Sequence, residues 1–133
     1  MNKPTIHVTC AIIQNGGKVF VAQRSAQMRL PLKWEFPGGK IDVGETEEQC
    51  IVRELKEELG ITVEVIKRMT AYAHEYEHSI VNLIPFIVSH KDGVINLTEH
   101  AQYIWADIST LTQLDWAPAD VPILNDYIIE YGT

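Results

Sequence analysis

The chain predicts an α/β (α+β) fold in which one mixed β-sheet is packed between α-helices. Three observations carry that expectation. Segments rich in Ile, Val and Thr open the chain, a strongly signalled helix stands near its middle, further such segments follow, and a second helix closes it. The length of 133 residues fits a single domain, 1–133, and is enough to bury a core without disulfides or structural metal. Hydrophobic residues make up 46% and charged residues 22%, an ordinary globular balance, with no internal repeat, low-complexity tract or linker.

Taken in order, Thr5 to Gln14 reads as a strand, Asn15-Gly16-Gly17 as a turn and Lys18 to Gln23 as the returning strand, so a hairpin is expected. Arg24 ends it, and Ser25 to Lys33 is a loop containing Pro31. Trp34-Glu35-Phe36 is a short aromatic strand, followed by a turn at Pro37-Gly38-Gly39, where paired glycines let the backbone approach another group closely. Three β-like runs follow the central helix: Thr62 to Ile66, Ala71 to His78 and Ile80 to Val88. Lys91-Asp92-Gly93 signals a turn, and Tyr103 to Ala106 a further strand. Asp107 to Leu114 reads as a short helix. Asp120 to Tyr131, with Asp120 as its N-cap, reads as the last helix, with Val121, Leu124, Ile128 and Tyr131 along one stripe.

The central helix is the most informative stretch. Thr46 and Gln49 form a capping-box pattern, Glu47 and Glu48 favour the first turn, and Gly60 suits the terminating position. Ile51, Val52, Leu55 and Leu59 fall on one arc for a core, and Glu47, Glu54 and Glu58 on a neighbouring arc. Glu54, Glu57 and Glu58 stand at i, i+3 and i+4, so three carboxylates crowd one face and repel one another. A cation relieves such repulsion, and oxygen donors without Cys or His favour Mg2+ or Mn2+ over zinc.

Gly39, Glu45, Arg53, Glu54, Leu55, Glu57, Glu58, Gly60 and Ile61 together resemble an intact Nudix box, G-x5-E-x7-R-E-U-x-E-E-x-G-U with U apolar. At about 5–7% per fixed position, a chance match is on the order of one in ten million or rarer. A solvated acidic helix face would account for the acids but not for Gly39, Glu45, Arg53 and Gly60 at those offsets. The resemblance implies hydrolysis of a nucleoside diphosphate linked to a further group, with Mg2+ or Mn2+ as cofactor. By position, the Gly38 carbonyl, Glu54, Glu57 and Glu58 are the implied metal ligands and Glu54 the leading general base, held by Arg53. Glu45 is implied to pair within the loop–helix unit, and Leu55 and Ile61 to be core. Outside the box, Glu99, just before the strand at Tyr103, is an additional implied ligand or base, and Arg24 an implied phosphate contact.

The Trp34–Lys40 stretch and Ala117-Pro118-Ala119-Asp120 make nearly the whole chain look like the MutT branch, which converts a (d)NTP to the monophosphate and pyrophosphate. Its best-known substrate is 8-oxo-dGTP. Where the MutT pattern has asparagine this chain has Asp120, which, if ionised, only accepts hydrogen bonds. That suits a cytosine amine, or N1–H and N2–H2 of guanine in another pose, and a related subgroup of CTP pyrophosphohydrolases has an Ala-Pro-Ala-Asp stretch like this one. The 8-oxo-guanine reading stands narrowly first, with CTP, dCTP or 5-methyl-dCTP as the alternative.

Other features bound the function. His74-Glu75-Tyr76-Glu77-His78 is a literal zinc-peptidase motif, but its β-like flanks would hold the two histidines about 13 Å apart, too far for one zinc. Alternation instead puts His74, Tyr76 and His78 on one face, from which Tyr76 or a histidine could touch a base, the alternative being a half-exposed polar strand. Cys10 and Cys50 read as small buried residues rather than ligands or a disulfide. A net charge of −7 without a basic run argues against a DNA or RNA polymer partner. No signal peptide or apolar span is seen, so a cytoplasmic monomer or weak homodimer is expected, away from membranes. The competing classes are a hydrolase of ADP-ribose, nucleotide sugars or dinucleoside polyphosphates, which usually carries extra elements, and a non-catalytic nucleotide sensor, which often loses the acids kept here.

Overall fold

The computed structural model describes residues 3–132, so Met1 and Asn2 of the expected lead into the first strand lie outside the described residues. The strands are β1 (Thr5–Asn15), β2 (Lys18–Gln23), β3 (Trp34–Glu35), β4 (Gly38–Lys40), β5 (Thr62–Arg68), β6 (Tyr72–Glu75), β7 (Ile80–Asp92) and β8 (Gln102–Ala106). The helices are α1 (Glu47–Leu59), α2 (Ile108–Leu111) and α3 (Val121–Tyr131), the last preceded by a 3-10 turn at Pro118–Asp120.

All eight strands belong to one mixed sheet. Its spine is β1, which runs parallel to β7 from Thr5↔Ile80 to Gln14↔Ser89. The opposite edge of β1 pairs first with β4 and then, near the hairpin turn, with β2. Antiparallel β8 extends the sheet beside β2, and β5 and β6 share β7. With partners on both edges, β1 is buried on both faces from Thr9 to Ile13. Alternation then divides the core. Cys10 and Ile12 face the layer formed with α3, Leu111 and Trp116, while Ala11 and Ile13 face α1 through Ile51, Leu55 and Leu59. The sheet therefore lies between helices, as expected.

Several expectations are corrected. The stretch after Phe36 is not simply a turn: Gly38–Lys40 forms β4 against β1. A Cβ on Gly38 would stand 2.0 Å from the Thr9 carbonyl oxygen, so only glycine permits that pairing. The strand expected over Ala71 to His78 stops at Glu75, because the Tyr76 amide turns back to the Ser79 carbonyl at 2.8 Å. β7 runs through Asp92, and the chain turns only at Gly93, whose φ is +95°. α2 is a single turn capped by Asp107. Just beyond it, the Trp116 indole N–H donates to the Leu111 carbonyl at 2.8 Å. Val52 is exposed and Cys50 takes its place inside. On α3 the buried residues are Ile123, Leu124 and Tyr127, while Val121 and Tyr131 are exposed. That helix is apolar on several sides, so its pattern alone does not select the packed stripe.

Candidate active site

Helix α1 begins as its sequence demands. The Thr46 side chain accepts from the Gln49 amide (3.1 Å) and the Gln49 side chain accepts from the Thr46 amide (3.0 Å), completing the capping box. Gly60 ends the helix in the left-handed conformation, φ +73°. Between these ends Arg53 is a hub. It donates to Glu45 through Nε (2.6 Å) and Nη2 (2.9 Å), to Glu54 Oε1 (2.9 Å), to Glu57 Oε2 (3.1 Å) and to the Lys40 carbonyl (3.1 Å). The paired bonds from Arg53 pull the Glu45 carboxyl down to about 2. Glu45 therefore fastens the 39–46 loop to the helix.

The glycine before this loop is shaped by the acid behind it. A Cβ on Gly39 would fall 2.3 Å from the Glu54 carboxyl carbon, so the absence of a side chain makes the seat for that carboxylate. Below, the Gly39 carbonyl accepts from Thr9 Oγ1 (3.2 Å) and from Cys50 Sγ (3.4 Å). Both cysteines are free and buried, as expected.

Glu58 is different from its neighbours. Its Oε2 is buried and has no hydrogen-bond partner. Burial, then the nearby charges of Glu35, Glu54 and Glu99, push its carboxyl up to about 8. Burial also raises Glu54, against the opposing pull of Arg53. Among the described residues no three or more His, Cys, Asp or Glu side chains already form a metal-binding group. The donor chemistry nonetheless fits a hard divalent cation: carboxylates on one helix face, with no thiolate or imidazole among them, and one buried oxygen unsatisfied.

Glu99 is exposed, on the irregular segment before β8. Tethers flank it. The Thr98 amide donates to the Glu58 carbonyl (3.3 Å), and the Ala101 amide to the Gln23 carbonyl (2.9 Å). His100 Nε2 meets Glu35 Oε2 at 2.7 Å, with the imidazole only 4% exposed.

Two adjoining cavities share Arg24, Glu35 and Asp120. The smaller, about 210 Å³, reaches Gly38, Gly39 and Glu58. The larger, about 290 Å³, has apolar walls including Val8, Val81 and Leu83 and polar groups from Tyr76 and Asp120. Arg24 is engaged with the protein: Nη1 donates to Glu35 Oε1 (2.8 Å) and Nε to the Arg29 carbonyl. Tyr76 lines the larger cavity, and its hydroxyl accepts from the Ala119 amide at 3.1 Å. His74 packs against Tyr76 with the rings tilted at 59°, but His78 is exposed, so the expected shared face ends at Tyr76. With His74 on a strand, the zinc-peptidase pattern has no helix to converge on.

Asp120 overturns its expected capping role. Its side chain caps nothing in α3; it turns inward, 5% exposed, and Oδ2 accepts from the Phe36 amide at 2.9 Å. Burial, then the Glu35 charge, raise its carboxyl well above the usual range. Burial thus favours the protonated acid, which both donates and accepts, a property the residue type alone did not reveal.

Sequence reasoning gave Glu35 and His100 no part, yet Glu35 borders both cavities and joins Arg24 to His100. The only signal was an acid within an aromatic strand that follows an arginine-ended one. Nothing local announces His100.

Comparison with known proteins agrees with this geometry. The NUDIX domain model matches residues 3–127. The chain is 37% identical over 123 residues to the CTP pyrophosphohydrolase of Escherichia coli K12, covering 92% of this chain and 91% of that protein. It is 32% identical over 120 residues to the 8-oxo-dGTP diphosphatase of the same strain, covering 90% and 93%. A solution structure of the MutT protein (Nudix hydrolase family) from methicillin-resistant Staphylococcus aureus 252 superposes with a TM-score of 0.79 at 40% identity, covering 97% of this chain and 99% of that one. A family match over nearly the whole chain, with relatives above 30% identity across nine-tenths of it, places the chain in the Nudix family, as a hydrolase of the MutT-like branch.

Proposed function

We propose that this chain is a divalent-metal-dependent nucleoside triphosphate pyrophosphohydrolase. It converts a (d)NTP and water to the (d)NMP and pyrophosphate, with 8-oxo-dGTP as the leading substrate. The observation that carries the reading is the pair of adjoining cavities, one acidic and ending at the unpartnered Glu58 oxygen, the other apolar with Asp120 and Tyr76 on its wall.

Glu54, Glu57, Glu58, Glu99 and the Gly38 carbonyl are the groups that would hold Mg2+, or Mn2+ in its place. Bound there, the ion screens the polyphosphate and acidifies a water. Glu54 takes the proton from the attacking water, since burial keeps its carboxylate basic and Arg53 fixes its orientation at 2.9 Å. Arg24, at the junction of the cavities, supplies positive charge towards the phosphates.

The base lies in the larger cavity. In its protonated form, which burial favours, Asp120 donates to O6 of 8-oxoguanine and accepts from N7–H, the pattern an asparagine amide would offer. Tyr76, whose oxygen already accepts from Ala119, keeps its own proton to donate. A second reading, cytidine-preferring hydrolysis of CTP, dCTP or 5-methyl-dCTP, is favoured by the 37%-identical CTP pyrophosphohydrolase. The same neutral acid accepts from the cytosine amine and donates to N3.

The test is side-by-side kinetics with Mg2+ on 8-oxo-dGTP, dGTP, CTP, dCTP and 5-methyl-dCTP, following pyrophosphate. The highest kcat/KM is expected for 8-oxo-dGTP. A cytidine nucleotide in first place would select the second reading. Tight binding without turnover of any nucleotide would mean a sensor instead of an enzyme.

A further inference from the structure

We propose that Glu35 is a positioning residue that, through His100, locks the Glu99-bearing loop and Arg24 into one frame. The inference rests on the pyrophosphohydrolase reading for its kinetic part only.

Glu35 sits on β3, where its backbone pairs with Ala22 of β2, so it is anchored to the sheet. Its two carboxylate oxygens are spent in opposite directions. Oε1 accepts from Arg24 Nη1 at 2.8 Å, and Oε2 meets His100 Nε2 at 2.7 Å. All three side chains are shielded: the Glu35 acceptor is 18% exposed, and its partners Arg24 and His100 are 19% and 4% exposed. Charge-assisted bonds at these lengths, away from water, hold direction better than exposed ones.

Backbone bonds also restrain the segments they join, Arg24 to Lys33 (2.8 Å) on one side and Ala101 to Gln23 (2.9 Å) on the other, and the Glu35 bonds add the side-chain link between them. Between β7 and β8 the chain has no regular structure, and Glu99 is exposed on it. The Thr98 amide and hydroxyl hold one side of Glu99 to the end of α1, at the Glu58 carbonyl. His100 holds the other side to β3. Without it, only the Ala101 amide bond to the Gln23 carbonyl would restrain that side of Glu99, and the side chain would have more freedom about the Thr98 tether. Arg24 in turn reaches the Arg29 carbonyl through Nε, so the same acid steadies the 25–33 loop that borders the larger cavity. Glu35 thus makes the loop over the base and the loop over the phosphates answer to one strand. A misplacement of about 1 Å in such a frame costs on the order of a hundredfold in rate.

The experiment uses the full chain with Mg2+ and the best nucleotide of the panel. His100→Ala is expected to lower kcat by about 10- to 100-fold, to leave KM within a few-fold, and to speed amide exchange across residues 97–101 while β1 and α1 keep wild-type protection. His100→Gln, whose amide nitrogen still donates to Glu35, should recover most of both. Glu35→Gln should loosen residues 25–33 and 97–101 together, whereas Arg24→Ala should loosen only 25–33. Unchanged exchange at 97–101 in His100→Ala would overturn the proposal. So would a loss that spreads evenly over the protein and is no smaller in His100→Gln, since that marks a generally destabilised fold. If the wild type hydrolyses no nucleotide, the functional reading fails, and the exchange pattern still decides whether Glu35 couples the loops.

Discussion

At the residue scale, the acids of α1 are not equivalent, and each environment predicts a different variant. Glu54 is braced by Arg53 and seated against Gly39. Glu54→Gln keeps the shape, so folding by circular dichroism should be retained while kcat drops at least ~100-fold, as for loss of a general base. Near-normal turnover would refute its assigned role. Glu58 has an ordinary value of 4.5 when unfolded and about 8 when folded. The folded state then holds the proton more tightly, so metal-free stability falls as pH rises from about 4.5 to about 8. Glu58→Gln should flatten that slope and raise the metal-free Tm above neutral pH, while reducing the Tm gain expected when Mg2+ is added to the wild type. Asp120 is likewise raised, so its donor proton is lost as pH climbs through the elevated value. Asp120→Asn cannot ionise, so its 8-oxo-dGTP kcat/KM should vary less with pH than the wild type's, read as the ratio of the two pH profiles.

At the scale of elements, α1 does two things with one periodicity. Its Ile51, Leu55 and Leu59 are fully buried under the sheet, and the next arc carries the acids. Leu55→Ala should cost about 2–5 kcal/mol in urea denaturation, far more than an exposed substitution such as Val52→Ala. This helix was almost wholly legible beforehand, because its cap, its terminating glycine and its acids are local signals with fixed spacing. The hairpin of β1 and β2 was legible for the same reason. What lay hidden depends on partners distant in the chain. Gly38–Lys40 looks like a turn until β1 is beside it. Asp120 looks like a cap until the Phe36 amide, 84 residues away in sequence, claims it. Glu35 and His100, 65 residues apart, have no pattern that pairs them. The apolar stripe of α3 misled because that helix is greasy on more than one side, so only contact with the sheet selects Ile123, Leu124 and Tyr127.

At the scale of the whole molecule, the cleft lies where pieces from every part of the chain meet: Arg24 from the end of β2, Glu35 from β3, Glu58 from α1 and Asp120 from the turn before α3. No helix among the described residues is long and apolar enough to cross a membrane. The parallel β1–β7 ladder has a further consequence. Its partners stand 75 residues apart, from Thr5↔Ile80 onward. A growing polypeptide leaving the ribosome therefore exposes the Cys10–Ile13 run of β1 until the other side of the ladder has been synthesised. Loop closure of that length is slow, so refolding from denaturant should take milliseconds to seconds rather than microseconds, and a nascent chain cut before residue 80 should be the species that chaperones hold.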